Sequence, residues 1–163
     1  MAHAKLSASG AHRWLECPGS VLLEEQYKNT TSTFAEEGTF AHEVAEYILK
    51  NGADNLPEYL KENEYYSTEL VEYVKQHNSY VMEEFQEQYR DDKNTQMFLE
   101  TKVEFNDVVP EGFGTADVII TSEKVLKIID LKFGKGVKVS AKKNPQLRLY
   151  AYGALKEFGW LND

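Results

Sequence analysis

Cysteine is almost absent from this chain: Cys17 stands alone among 163 residues. An intrachain disulfide is therefore excluded, as is a zinc or iron–sulfur site built wholly from this chain's cysteines, and a reducing cytoplasm is the expected setting. Long apolar runs are missing too. No stretch approaches the roughly 18 residues a membrane span needs, so no membrane partner is expected. The opening, MAHAKLSASGAHRWLECPGS, lacks the apolar core of a secretory signal. Internal repeats, linkers and low-complexity segments are also lacking. What remains is the composition of an ordinary folded protein, 42% hydrophobic and 12% aromatic, with a length that suits one domain over residues 1–163.

The net charge of −9 argues against a nucleic-acid partner until its distribution is considered. Residues 1–130 carry 25 acids against 11 bases. Between Leu131 and Lys156 there is no acid, but there are seven bases: Lys132, Lys135, Lys138, Lys142, Lys143, Arg148 and Lys156. Such a run reads either as a solvated basic edge or as a phosphate-facing surface.

Residues 1–92 read as mainly helical. Ser7 or Ser9 can cap a short helix through Glu16, closed by Pro18-Gly19. A second helix is predicted from Phe34 to Lys50, ending at Asn51-Gly52, and a short segment from Pro57 to Lys61. The longest begins at Ser67 or Thr68 and runs to Arg90, with Leu70, Val71, Val74, Val81, Met82, Phe85 and Tyr89 on one face. From residue 96 the period changes. Met97–Phe105 alternates, with Leu99, Thr101, Val103 and Phe105 on one side and Glu100, Lys102 and Glu104 on the other. Thr115–Thr121 and Lys124–Phe133 read as strands joined at Ser122-Glu123. Val137–Ser140 reads as a further short strand, and Asn144-Pro145 opens a last helix through Phe158. The fold class expected is α/β, a small mixed β-sheet flanked by helices with an N-terminal helical part.

One constellation carries chemistry. Leu126, Ile128, Asp130 and Lys132 share one strand face, so an acid and a lysine project from the same side. An antiparallel preceding strand brings Asp117 alongside. Two converging carboxylates make a hard-oxygen site suited to Mg2+ or Mn2+, which can polarise a phosphodiester and activate water. The lysine can then stabilise charge developing on the phosphate. Alone, Asp-x-Lys is a weak signal, more readily read as an edge-strand ion pair.

The order of motifs adds specificity. Gly38-Thr-Phe-Ala-His42, Gly114-Thr-Ala-Asp117, Asp130-Leu-Lys132 and Gln146-Leu-Arg-Leu-Tyr150 follow one another along the chain. The set resembles the PD-(D/E)xK nucleases, within them the RecB-like and phage-exonuclease branch. The opening Ala-His-Arg-Trp-Leu-Glu-Cys-Pro-Gly-Ser is similar to a phage and prophage family of such nucleases. The resemblance implies a restriction-endonuclease-like core and a Mg2+- or Mn2+-dependent deoxyribonuclease, expected as an exonuclease in phage recombination or DNA processing. It implies Asp117 and Asp130 as metal ligands, with His42 and the backbone carbonyl of Leu131. Lys132 would be the catalytic lysine, with Gln146 and Tyr150 beside it. Glu100 or Glu104 would supply an acid from the first strand. Lys135, Lys138, Lys142, Lys143 and Arg148 then fit a groove that tracks DNA.

This chain also departs from the pattern. Alanine precedes Asp117 where the motif's nominal proline would stand. Cys17 sits where some relatives keep the first of four cluster-binding cysteines, but without the other three no iron–sulfur cluster is expected, and Cys17 is expected as a buried thiol. The chain stops soon after the Gln-x-x-x-Tyr helix, as a fragment or minimal version would. The alternative function is a catalytically inactive nuclease-fold DNA-binding or assembly module. A weaker one is an accessory factor for phage recombination proteins, using the acidic helices as its contact surface. No subunit interface is specified, so oligomerisation stays open.

Overall fold

The computed structural model describes residues 4–27, 32–134 and 138–159. Two short helices open it, α1 (Ala11–Glu16) and α2 (Ser20–Glu24). No side chain caps α1; Ser7 Oγ instead accepts the Gly10 amide in the turn before it. Pro18-Gly19 ends α1 as expected, and α2 follows directly, an element the sequence pattern does not predict. Cys17 is exposed, contrary to the buried thiol expected, because α1 turns Ala11 and Trp14 inward and leaves its C-terminus in solvent.

The longer helices form where cap and period place them. α3 (Thr33–Asn51) starts at Ser32, whose hydroxyl accepts the Ala35 amide, and stops at Gly52, whose φ of +85° leaves the helical region. α4 (Glu58–Lys61) follows Pro57. α5 (Thr68–Asp91) is capped by Ser67 through the Leu70 amide. Phe40, Ala41, Val44 and Ile48 of α3 bury themselves against Leu70, Val71 and Val74 of α5, and Leu131 closes the same cluster. The predicted stripe of α5 is buried as far as Val81; Met82 and Phe85 are only partly covered, and Tyr89 is exposed.

Three antiparallel strands follow in the order β1 (Gln96–Glu104), β2 (Phe113–Thr121) and β3 (Leu126–Ile129). The sequence pattern predicted a mixed sheet with a fourth strand at Val137–Ser140. Val137 and Lys135 lie outside the described residues. Lys138, Val139 and Ser140 are exposed and form no strand; they lead into a turn in which Ser140 accepts from the Lys142 amide and from Asn144 Nδ2. β3 also ends at Ile129, four residues short of Phe133, because the next amide available, that of Leu131, turns to a side chain. α6 (Pro145–Phe158) is opened by Asn144, whose side chain accepts the Leu147 amide. It covers one sheet face through Tyr150, Ala154 and Phe158, while α3 and α5 cover the other. Among the described residues no helix is long and apolar enough to cross a membrane.

The sheet has one defect, and it changes the expected alternation. β1 and β2 pair on every rung from Gln96–Thr121 to Glu104–Phe113 except the one that would match Glu100 with Asp117. Glu100 sits there with φ of +45°, a left-handed conformation that costs a non-glycine residue about 1–3 kcal/mol. The pleat changes phase across this rung. Met97 and Leu99 pack with Val118 and Ile120 toward α5, whereas Val103 and Phe105 pack with Ala116 toward α6. Leu99 is thus not on the face of Thr101, Val103 and Phe105, as strict alternation had it.

Two glycines separate packing from permissiveness. A Cβ on Gly153 would lie 3.0 Å from Val103 Cβ and 3.1 Å from the Glu104 carbonyl, both on rigid strand β1, whereas nothing lies within 4 Å of the corresponding position on Gly38. Gly153→Ala is expected to lower stability by about 1–3 kcal/mol through overpacking. Gly38→Ala should raise it by about 0.5–1 kcal/mol through helix propensity. Urea denaturation of both variants checks the contrast.

Candidate metal and catalytic site

The defect in the sheet faces α3. There His42 Nδ1 lies 3.3 Å from Asp117 Oδ2 and 3.9 Å from Glu100 Oε1. One donor atom from each of the three side chains falls within 4.8 Å of the other two. The Leu131 amide donates to Asp117 Oδ2 at 2.7 Å, so the chain leaving β3 fixes the carboxylate. Glu100 therefore belongs to the cluster. Glu104 does not, for it pairs with Lys102 at 2.9 Å in solvent. An imidazole and two carboxylates so close form a donor set that fits a divalent cation.

Without a cation, His42 balances the two carboxylates. Burial pulls its pKa down, but hydrogen bonds to Asp117 and Glu100 and their negative charges outweigh it and push it up to about 10. The imidazolium thus supplies the positive charge that an ion would otherwise bring.

A second group of side chains stands one strand over. Asp130 follows the last paired residue of β3, and its side chain is only 6% exposed. Its Oδ1 accepts from Gln146 Nε2 at 2.9 Å, and its Oδ2 is 2.7 Å from Lys132 Nζ. Lys132 Nζ donates in turn to Gln146 Oε1 at 3.0 Å, and Gln146 Nε2 also reaches the Tyr150 hydroxyl at 3.3 Å. Gln146 and Tyr150 share a face of α6 because they are four apart. Burial, then the Asp117 charge, pushes the Asp130 carboxyl up, while Lys132 pulls it down. Burial pushes Tyr150 up to about 12, so its phenol keeps its proton.

The residues predicted from sequence thus divide in two. His42, Asp117 and Glu100 form the donor cluster, while Asp130 joins Lys132, Gln146 and Tyr150 in a relay beside it. Leu131 connects them: its amide holds Asp117 and its side chain is buried in the helical core. Lys138, Lys142, Lys143 and Arg148 are exposed, with no carboxylate partner among the described residues, around the start of α6 where Gln146 projects. Lys156 is elsewhere, paired with Asp107 at 3.1 Å. On the other side of Lys132 opens a cleft of about 480 Å3 walled by Tyr73, Phe133, Ser67 and Glu37. Tyr73 is half-exposed and meets Phe133 edge-on at 6.4 Å; Tyr65 and Tyr66 pack against the helical core, and Tyr80 is exposed away from this cleft.

Sequence reasoning missed His77 and Asn78. Both lie on the inner side of α5, Asn78 buried between Val74 and Val81 in the apolar stripe. A polar residue interrupting that stripe was the available signal.

The His42 shift predicts a pH dependence. A pKa raised from about 6.5 to about 10 contributes stability that is fully present below pH 6.5 and is lost as pH rises through about 10. In EDTA, the stability difference between wild type and His42→Gln should therefore be largest at pH 6 and shrink toward pH 10.5. Urea denaturation across that range measures it.

No solved structure matches this chain. Residues 3–163 match the model of the family described as "Protein of unknown function (DUF2800)", and the chain belongs to that family.

Proposed function

We propose that this protein is a metal-dependent deoxyribonuclease with a restriction-endonuclease-like core, hydrolysing phosphodiester bonds at the junction of the two side-chain groups. The observation that carries this reading is their adjacency: the three-donor cluster of His42, Asp117 and Glu100 is tied by a hydrogen bond at Asp117 to the amide of Leu131, the residue next to a lysine oriented by Asp130 and Gln146. A bound Mg2+ or Mn2+ would polarise a phosphate oxygen and lower the pKa of a water. Lys132, half-exposed and held at its tip by two partners, would stabilise charge developing on the phosphate. Asp130, whose proton affinity is raised by burial, would hold that lysine and lend its charge to the cation site. Gln146 would orient both, and Tyr150, protonated throughout, would fix Gln146.

Lys138, Lys142, Lys143 and Arg148, without a carboxylate partner among the described residues, supply a phosphate-binding margin despite the net charge of −9. The Tyr73–Phe133 cleft offers aromatic surface beside Lys132. In this reading the partner is DNA, the action is exonucleolytic, and the setting is phage or prophage recombination in the cytoplasm. A second reading, an inactive nuclease-fold DNA-binding module, draws on one observation: Lys132 is already engaged by Asp130 and Gln146.

Purified protein is expected to degrade end-labelled linear DNA with Mg2+ or Mn2+ while sparing a closed circle. Lys132→Ala and Asp117→Ala should each reduce the rate by at least about a hundredfold, the scale of removing a group that stabilises transition-state charge. DNA retention without cleavage under both metals would favour the inactive module. Cleavage unaffected by Lys132→Ala would sink the assignment.

A further inference from the structure

Beside the donor cluster lies a small, partly open cavity of about 10 Å3, lined by His42, Glu100 and Asp117 and, from α5, by His77. That volume is at the lower edge of the roughly 10–15 Å3 required by a single water-sized guest. His77 Nε2 is buried and has no hydrogen-bond partner among the described residues. A buried polar nitrogen left unpaired costs free energy, so a partner is to be sought in the space it borders.

The tautomer of His77 can be derived from its neighbours. Asn78 Nδ2 donates to the Ala45 carbonyl at 3.0 Å, which leaves Asn78 Oδ1 as the acceptor facing His77 Nδ1 at 3.1 Å. Nδ1 therefore carries the hydrogen. In the neutral ring Nε2 then presents a lone pair, the state in which imidazole binds a metal while its other nitrogen donates to an oxygen. The Ala45 carbonyl belongs to α3, one turn from His42, so the chain of contacts also ties His77 to the helix that carries the first imidazole.

Resting on the metal-site reading above, we infer that His77 Nε2 is a further nitrogen donor to the ion, and that the centre prefers a first-row transition ion such as Mn2+ or Co2+ to Mg2+. Mg2+ favours an all-oxygen octahedron and sheds water reluctantly, whereas two imidazoles with two carboxylates suit the transition ions. His77 stands outside the group of three whose donors lie within 4.8 Å of one another but lines the same cavity, so ligation requires its Nε2 to shift toward the ion.

The test titrates EDTA-treated full-length protein with Mn2+, Co2+ and Mg2+ by calorimetry, and counts imidazole nitrogens on bound Mn2+ by pulsed electron paramagnetic resonance. Wild type is expected to bind Mn2+ and Co2+ at least about tenfold more tightly than Mg2+, with two imidazoles on Mn2+. His77→Phe, which keeps the ring's bulk, and His77→Gln should each lose one imidazole and at least about tenfold in Mn2+ and Co2+ affinity, with Mg2+ affinity nearly unchanged. If neither variant folds, the nitrogen count on wild type decides. One imidazole on wild-type Mn2+, or unchanged Mn2+ affinity in a folded His77 variant, overturns the inference, and Mg2+-dependent DNA cleavage would then leave the nuclease reading standing. Two imidazoles without DNA cleavage would support the inference and remove the nuclease reading. Failure to bind any of the three ions overturns both.

Discussion

The site depends on one missing rung. Had β1 and β2 paired without interruption, Glu100 and Asp117 would have kept their backbone groups in the ladder, and the alternation on either side would have held its phase. The left-handed Glu100 breaks that rung, and both strands change faces across it. The two carboxylates at the change point are then free to meet His42 on α3. The cost of the strained residue is modest beside that of burying two carboxylates with no counter-charge. His42 supplies that charge, and the Leu131 amide supplies a directed hydrogen bond. The same amide is withdrawn from the sheet, which explains why β3 is short. Strand length, strand phase and site geometry follow from a single local choice.

The two groups of side chains are coupled through charge as well as through Leu131. Asp117 raises the proton affinity of Asp130, and His42 and Lys132 oppose that effect. Removing either cation therefore reaches both groups, and single substitutions here should not behave additively. Gln146 holds the relay together because it both donates to Asp130 and accepts from Lys132. A glutamate at that position would repel Asp130, whereas the amide satisfies an acid and a base simultaneously.

Much of this was legible in the sequence, for reasons that can be traced to particular residues. Helix limits at Gly52, Ser67 and Asn144 are written in cap chemistry, which acts within a single turn. His42, Asp117, Asp130, Lys132, Gln146 and Tyr150 stand in an order along the chain that the fold turns into proximity. Choosing Glu100 over Glu104 was not legible. Alternation puts both on one face with Lys102, and nothing in Phe-Leu-Glu-Thr-Lys announces a positive φ, which glycine or asparagine would have signalled. The edge at residues 138–140 misled for the opposite reason. Val139 has strand propensity, but it is exposed, and Ser140 and Asn144 offer the backbone a competing turn.

His77 and Asn78 show where sequence periodicity holds information that apolarity alone discards. Positions 70, 74, 78 and 81 form one stripe of α5, and a core built only for stability would put an aliphatic side chain at 78. Asparagine there is buried and must find partners for its amide; it finds the Ala45 carbonyl on α3 and the His77 ring. The bond to Ala45 fixes the spacing of α3 and α5 at the level of His42. The bond to His77 leaves the ring's other nitrogen without a partner among the described residues, beside a cavity bordered by the carboxylates of β1 and β2. A helix pair that needed only to pack would gain nothing from that arrangement, since each polar group costs desolvation and one remains unsatisfied. The polar pair is best understood as a support that gives up some core stability to hold α5 in register with the site.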